Sequence, residues 1–127
     1  MIVVDASAAV LALLEDGDAR AMLSQEKLVG PHLIDVEIVH ALRRQVLRGE
    51  IDATLAVGAI QAWGQMGVER IGATGLLGRI WELRENLTAY DATYVALAEA
   101  MEVPLVTSDA RLAQAPGPRC PMVVVRR

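Results

Sequence analysis

Short strand-like segments alternate with longer helical segments along this chain of 127 residues, and the alternation limits the folds that it can adopt. The run Ile2-Val3-Val4 is apolar and β-branched, which is typical of a buried strand. Short strands that alternate with helices predict a parallel sheet covered by helices on both faces. We therefore predict a single three-layer α/β/α domain over residues 1–127 with a parallel five-stranded sheet. The predicted strands are residues 2–4, 28–30, 68–71, 104–107 and 122–125.

The helical segments are bounded by residues that commonly start or stop helices. Ser7, Asp18 and Asp52 stand where a side chain can cap a helix N-terminus. Gly49 and Gly67 follow two of the helices, and glycine commonly ends a helix. No repeat, linker or low-complexity segment interrupts the pattern, which favours one domain. The predicted helices are residues 7–14, a short segment from residue 18, and residues 31–48, 52–66, 74–85 and 89–101.

Composition and charge exclude several classes of protein. The formal net charge is -4, so the chain is not one of the strongly basic nucleic-acid-binding domains. Cys120 is the only cysteine, which rules out an intrachain disulfide and favours a reducing compartment. The apolar N-terminal segment lacks a basic region and is interrupted by Asp5, unlike a signal peptide. No apolar run is long enough to span a membrane. We therefore expect a cytoplasmic protein that does not associate with membranes.

Four acidic residues interrupt or end apolar segments at places that meet at one edge of the predicted sheet. Asp5 directly follows the first strand, and Asp109 follows the fourth. Ligands of open parallel sheets bind outside the carboxyl ends of the strands. Glu37 and Asp91 lie early in helices, and each shares a mostly apolar helical stripe. Because crossover helices begin at the carboxyl edge of the sheet, all four carboxylates can converge there.

Carboxylates gathered in this way need a source of positive charge. Two of them about 4 Å apart repel by roughly 4 kcal/mol at an effective dielectric constant of about 20. Mg²⁺, or Mn²⁺ in its place, is a hard ion that prefers oxygen ligands. One or two such ions activate water and stabilise the charge on a phosphodiester under attack. The acids therefore predict a metal-dependent phosphodiester hydrolase.

Each of the four acids also has an ordinary structural interpretation. Asp5 could simply end a strand. Thr88 and Asp91 match a helix capping box, and Asp109 could cap a short helix that follows it. Glu37 could be a surface acid if the phase of its helix differs from the one assumed. The prediction rests on the set, because one fold brings all four side chains to one edge.

At these positions the chain resembles a PIN-domain ribonuclease, specifically a VapC-type toxin of a bacterial type II toxin–antitoxin pair. The resemblance covers the whole chain. It rests on four motifs in a fixed order, namely VVDASA at residues 3–8, PHLIDVE at 31–37, YDATYVALA at 90–98 and LVTSD at 105–109.

The resemblance implies a sheet of order 3-2-1-4-5, which places the first and fourth strands side by side. It implies an endoribonuclease that hydrolyses RNA phosphodiester bonds with metal-activated water and depends on Mg²⁺ or Mn²⁺. It also implies a homodimer and a cognate VapB-type antitoxin whose tail covers the site. The hydroxyl groups of Ser7 and Thr107 would support the acids. The implied catalytic and metal-binding residues are Asp5, Glu37, Asp91 and Asp109.

The sequence leaves open the roles of several other residues and two alternative functions. Arg43 and Arg44 could bind RNA phosphates or be solvated helix arginines. Asp35 is the best candidate for a fifth acid, although its helical phase differs from that of Glu37. The chain could instead be a non-catalytic PIN-like module that binds a metal or a partner. An Asp-dependent phosphatase is less favoured, because no second acid follows Asp5 at the expected spacing of two residues.

Overall fold

Five short strands form a parallel sheet at the centre of the computed structural model, which describes residues 1–126. The order across the sheet is third, second, first, fourth, fifth, and every neighbouring pair is parallel. The predicted fold class and strand order are confirmed. The strands are β1 (Ile2–Val4), β2 (Leu28–Pro31), β3 (Glu69–Ile71), β4 (Leu105–Thr107) and β5 (Met122–Val124).

Helices cover both sides of this sheet. They are α1 (Ala6–Leu14), α2 (Asp18–Gln25), α3 (Leu33–Leu47), α4 (Ala53–Gly64), α5 (Leu77–Glu82), α6 (Ala89–Met101) and α7 (Ala110–Gln114). Helix α1 packs against α2, α3 and α4, whereas α6 packs against α5 and against strands β1, β2 and β4. Of the helices described, none is both long and apolar enough to cross a membrane.

The centre of the sheet is fully buried, which fixes the relative positions of the strand ends. Val3 and Val4 of β1 have no exposed surface. Val3 is in register with Val29 of β2 on one side and with Leu105 of β4 on the other. The N–H of Asp5 still donates to the carbonyl of Val106, at 3.0 Å. The residues that follow β1 and β4 are therefore neighbours at the carboxyl edge of the sheet.

Two of the predicted helix caps are wrong. Asp5, rather than Ser7, caps α1, and its carboxylate accepts a hydrogen bond from the N–H of Ala8. The chain turns into the helix directly after β1, so the first residue beyond the strand already occupies the capping position. Asp18 is the first residue of α2 and does not cap it, because Gly17 occupies the capping position. The predicted cap at Asp52 is correct, since its side chain accepts from the N–H of Leu55.

Three predicted helices are shorter than expected. Helix α3 spans Leu33–Leu47 rather than residues 31–48, because Pro31 is still part of β2. Helix α4 ends at Gly64 rather than at residue 66, and Gly67 has a positive φ of 68° in the turn beyond it. The predicted helix over residues 74–85 begins as a 3₁₀ turn at Thr74–Leu76 and continues as α5 only to Glu82. None of these differences changes where the four acids stand.

Candidate active site

Asp5 is the most deeply buried of the four acids, with 6% of its surface exposed. Its Oδ1 accepts hydrogen bonds from the Ser7 hydroxyl at 2.7 Å and from the Ala8 N–H at 2.9 Å. Burial raises the pKa of the Asp5 carboxyl, and these hydrogen bonds oppose the rise. The side chain is thus held in one orientation while its charge is poorly solvated.

Two hydroxyl groups join the end of β1 to the end of β4. The Ser7 Oγ lies 3.3 Å from the Oγ1 of Thr107, which is fully buried. The N–H of Ser108 donates to Ser7 Oγ at 2.9 Å, and the N–H of Asp109 donates to Thr107 Oγ1 at 3.0 Å. Ser7 and Thr107 therefore set the relative positions of Asp5 and Asp109.

Asp109 caps the short helix α7, as its ordinary structural interpretation allowed. Its Oδ1 accepts from the N–H of Arg111 at 2.9 Å. The side chain remains 37% exposed. A capping bond occupies one oxygen of the carboxylate, so the two interpretations of Asp109 are compatible.

Asp91 lies in the first turn of α6, beside a cap supplied by Thr88. The N–H of Asp91 donates to Thr88 Oγ1 at 3.2 Å. The reciprocal bond of a capping box is missing, because the Asp91 carboxylate accepts no hydrogen bond from any of residues 1–126. Burial raises the pKa of this carboxyl, and the charge of Asp109 raises it further. The Asp91 carboxylate therefore does not take part in capping the helix, which was the main structural alternative to a functional role.

Glu37 is half-buried on α3 and contacts a residue from the other side of the sheet. The hydroxyl of Tyr94 donates to its Oε1 at 2.5 Å. Burial raises the pKa of Glu37, the hydrogen bond from Tyr94 opposes the rise, and the charges of Asp91 and Asp5 add to it. Burial and the neighbouring Glu37 also raise the pKa of the Tyr94 phenol, so the phenol keeps its proton and acts as the donor.

Hydrogen bonds that join the four elements place the acids in one region, and the charges of some of these acids raise the pKa of others. The charge of Asp91 raises the pKa of both Asp5 and Glu37. Asp109 in turn raises the pKa of Asp91. Asp91 thus interacts electrostatically with each of the other three acids, and the structure brings together all four residues that the sequence singled out.

The chain supplies little positive charge to this acid cluster (Asp5, Glu37, Asp91 and Asp109). Within residues 1–126, the only ion pair to the cluster joins Asp109 to Arg111 over 3.5 Å, and Arg111 is 93% exposed. In the same range, no three side chains of the metal-binding types are close enough to enclose an ion. Mg²⁺ usually keeps several water ligands and takes one or two carboxylates from a protein, so it does not require a closed cage. The carboxylate oxygens of the acid cluster are hard donors whose negative charge is little offset by the chain, and such donors suit Mg²⁺.

The other candidate residues have different surroundings. Arg43 and Arg44 are exposed on α3, and neither side chain is hydrogen-bonded within the part of the chain that the structure describes. Asp35 is not a fifth member of the cluster. Its carboxylate accepts from Arg70 at 2.8 Å and from the indole of Trp63 at 2.7 Å, which ties α3 to α4 and β3.

The contact made by Tyr94 was not predicted from the sequence, where this residue is only one member of the motif at residues 90–98. The partner, Glu37, is 57 residues away on another helix, so no local pattern reveals the bond. The available signal is the spacing from Asp91 to Tyr94. Three residues apart on one helix, the two side chains lie on the same face, and a buried phenol needs a hydrogen-bond partner.

A groove of about 480 Å³ opens beside the acid cluster. Ser7 and Ser108 stand at the end nearest the acids. The rest is mainly apolar and is lined by residues of α1, α3 and α7, by the end of β5 and by the residues just after it, with charged residues among the lining. Its lining includes Val10, Leu11, Leu14, Ala41, Val125 and Arg126.

Comparison with known proteins identifies relatives over nearly the whole chain. The sequence model of the PIN domain matches residues 2–118. The chain is 51% identical to ribonuclease VapC9 of Mycobacterium tuberculosis over 127 residues, which is all of both proteins. It is 45% identical to ribonuclease VapC1 of the same species, over 98% of this chain and 97% of that protein.

The fold is also shared with a solved crystal structure. VapBC2 from Rickettsia felis, crystallised with a DNA fragment from its promoter, superposes with a TM-score of 0.69 over 98% of both chains. The sequence identity is 13%, so this similarity concerns the fold alone.

Proposed function

This chain belongs to the PIN-domain family as a VapC-type ribonuclease toxin of a toxin–antitoxin pair, and we propose that the acid cluster is its catalytic site. The observation that carries the proposal is the position of Asp91, whose carboxylate interacts with those of Asp5, Glu37 and Asp109. The acids come from four different elements, and no purely structural role requires them to meet.

VapC nucleases of this family depend on divalent metal ions, and we propose Mg²⁺ for this chain, with Mn²⁺ able to substitute. The residues that would hold the ion are Asp5, Glu37, Asp91 and Asp109. A bound ion would lower the pKa of water and offset charge on the phosphodiester. The chain itself contributes the fixed orientation of Asp5 by Ser7 and Ala8. It also provides carboxylates that can hold water and accept its proton.

Chelation of divalent metal tests this function most simply. We expect the purified chain to cleave single-stranded RNA with Mg²⁺, to fall to background in EDTA, and to recover when Mg²⁺ or Mn²⁺ is restored. The physical reason is that the acid cluster repels phosphate unless a cation is present. Gel analysis of labelled RNA and DNA oligonucleotides of the same sequence gives the rates. Undiminished cleavage in EDTA would contradict the proposal, and preferential cleavage of DNA would contradict the substrate class.

We propose that Arg43 and Arg44 bind phosphates of the RNA substrate. Both are exposed on the helix that carries Glu37, and neither is paired within residues 1–126. Each contact to single-stranded nucleic acid contributes about -0.7 to the slope of log K against log salt. The double variant R43A/R44A should therefore bind RNA more weakly, with a slope shallower by about 1.4.

Fluorescence anisotropy with an inactive background measures this binding without cleavage. Lys27→Ala is the matched control, because Lys27 is also exposed but precedes β2, at the amino edge of the sheet. It should leave the salt slope unchanged. An unaltered slope in R43A/R44A would remove the two arginines from the substrate site.

The antitoxin is a VapB-type protein, since VapC toxins pair with VapB antitoxins. We propose that an apolar segment of the antitoxin lies in the groove beside the acids. A basic antitoxin side chain next to the acid cluster would complement its charge. A toxin–antitoxin complex that cleaves RNA as fast as the free toxin would contradict this placement.

We also propose that the toxin is a homodimer. Large apolar side chains on the outer faces of α3 and α4 support this, since a second copy would remove them from water. They include Val36, Leu47 and Val57, which are 73%, 68% and 53% exposed. Light scattering of the purified chain measures the mass, and a monomer at micromolar concentration would contradict the proposal.

A further inference from the structure

The side chain of Tyr94 connects three elements that supply the acid cluster. It belongs to α6 and contacts α3 and the start of α1. It lies on α6, three residues after Asp91, and only 2% of its surface is exposed. Its hydroxyl donates to Glu37 on α3. The backbone N–H of Ala6, the residue that follows Asp5, approaches the same phenol oxygen. One side chain thus links the surroundings of Asp5, Glu37 and Asp91.

The contact with Tyr94 matters more to Glu37 than any single contact with a distant element matters to Asp5 or Asp109. Asp5 and Asp109 each accept a bond from a backbone N–H two or three residues further along the chain. For Glu37, the Tyr94 hydroxyl is the only hydrogen-bond donor among residues 1–126. Without it, a long side chain with several rotatable bonds would have no polar contact to fix its carboxylate.

The bond engages one oxygen of the carboxylate and leaves the other available. Tyr94 donates to Oε1, while Oε2 has no hydrogen bond within the described residues. A neutral hydroxyl donor orients a carboxylate without cancelling its charge, unlike an arginine or lysine. Groups that hydrogen-bond to metal-ligating carboxylates commonly set their direction in this way.

We propose that Tyr94 is a positioning residue for the metal site, which fixes Glu37 so that Oε2 is presented to the ion. The inference rests on the proposed function of the acid cluster. The competing explanation is that Tyr94 only fills the core, and in that case a phenylalanine would serve equally well. The two explanations differ in their effect on metal affinity.

The test compares Mn²⁺ affinity, measured by isothermal titration calorimetry, in the unaltered protein and in Tyr94→Phe. We expect the dissociation constant for Mn²⁺ to rise by about 10-fold or more, as is typical when a partner of a metal ligand is lost. Tyr90→Phe is the matched control, because Tyr90 is 65% exposed and precedes Asp91 on the same helix. It should bind Mn²⁺ like the unaltered protein.

A double-mutant cycle separates positioning from a general effect on folding. If Tyr94 acts through Glu37, then E37A/Y94F should bind Mn²⁺ no more weakly than Glu37→Ala alone. Independent, additive losses would overturn the inference, and so would an affinity in Tyr94→Phe equal to that of the unaltered protein. Failure of the unaltered protein to bind Mn²⁺ would overturn the metal site itself and this inference with it. If Tyr94→Phe lowers the melting temperature, the comparison of E37A/Y94F with Glu37→Ala still decides whether Tyr94 acts through Glu37.

Discussion

Asp5→Asn should abolish RNA cleavage and leave the fold intact. The substitution removes the charge with which Asp5 would hold the ion, and loss even of a partner of a metal ligand costs about 10- to 100-fold. We therefore expect a fall in kcat of at least about 100-fold. Asparagine caps helices as well as aspartate does. Its amide oxygen can still accept from the Ala8 N–H and the Ser7 hydroxyl.

The expected pattern is a protein that is inactive but no less stable. Burial raises the pKa of the Asp5 carboxyl, so its charge is unfavourable in the metal-free fold at neutral pH. A neutral side chain at this position avoids that cost. Thermal unfolding in EDTA should give a melting temperature equal to or above that of the unaltered protein.

Asp35→Asn is the matched control, since Asp35 is an acid of α3 that lies outside the cluster. It accepts bonds from Arg70 and Trp63. Because its side chain is 42% exposed, we expect a loss of only about 1 kcal/mol of stability. RNA cleavage should be retained. Full activity in Asp5→Asn, or equal loss in both variants, would contradict the assignment of the site.

Mg²⁺ should stabilise the fold, and more strongly at pH 8 than at pH 5. Burial raises the pKa of Asp5, Glu37 and Asp91. A carboxyl with a raised pKa stabilises the fold in its protonated form. That contribution is complete below the unfolded pKa of about 4 and is lost as pH rises through the folded pKa. The metal-free protein should therefore lose stability as pH rises above this range.

Two other carboxyls act in the opposite direction and at lower pH. Hydrogen bonds from Arg70 hold the pKa of Asp35 below its usual value. For Glu99, burial is outweighed by the hydrogen bonds from Arg79 and from the N–H of Arg119, so its pKa is also lowered. Their contributions are present above the unfolded pKa and are lost as pH falls through the folded values. Asp35 and Glu99 therefore do not offset the loss of stability that is expected as pH rises.

Binding of Mg²⁺ replaces the protons that the acid cluster gives up. At about 100 times its dissociation constant, the ion adds about 2.7 kcal/mol of stability, which corresponds to about 10 °C in melting temperature for a chain of this size. Scanning calorimetry in EDTA and in Mg²⁺ at the two pH values measures the effect. Asp5→Asn should show a much smaller shift. A shift of the same size at both pH values would count against a cluster of carboxylates as the binding site.

The sequence was sufficient to predict the sheet and the convergence of the four acids. The apolar strands identify the carboxyl edge, and Asp5 and Asp109 follow two of those strands. The strand order came from the family motifs, because local patterns do not determine which strands pair. The cap of α1 was misplaced at Ser7, since the capping role depends on where the chain leaves β1.

Contacts between distant elements could not be predicted from the sequence. The bond from Tyr94 to Glu37 spans both helical layers, and the bonds from Arg70 and Trp63 to Asp35 join residues 35 and 28 positions apart, respectively. Each depends on how helices pack, which helical periodicity does not specify. The periodicity did indicate that Asp35 and Glu37 face different directions, and the structure assigns them different partners.

Anomalous scattering of Mn²⁺ in crystals of the protein would locate the bound ion itself. We expect a peak at the carboxyl edge of the sheet, within ligand or water-mediated distance of Asp5, Glu37, Asp91 and Asp109. The same crystals of Asp5→Asn should lose or weaken this peak. A Mn²⁺ peak elsewhere, with none beside these acids at saturating concentration, would show that the acid cluster is not the metal site.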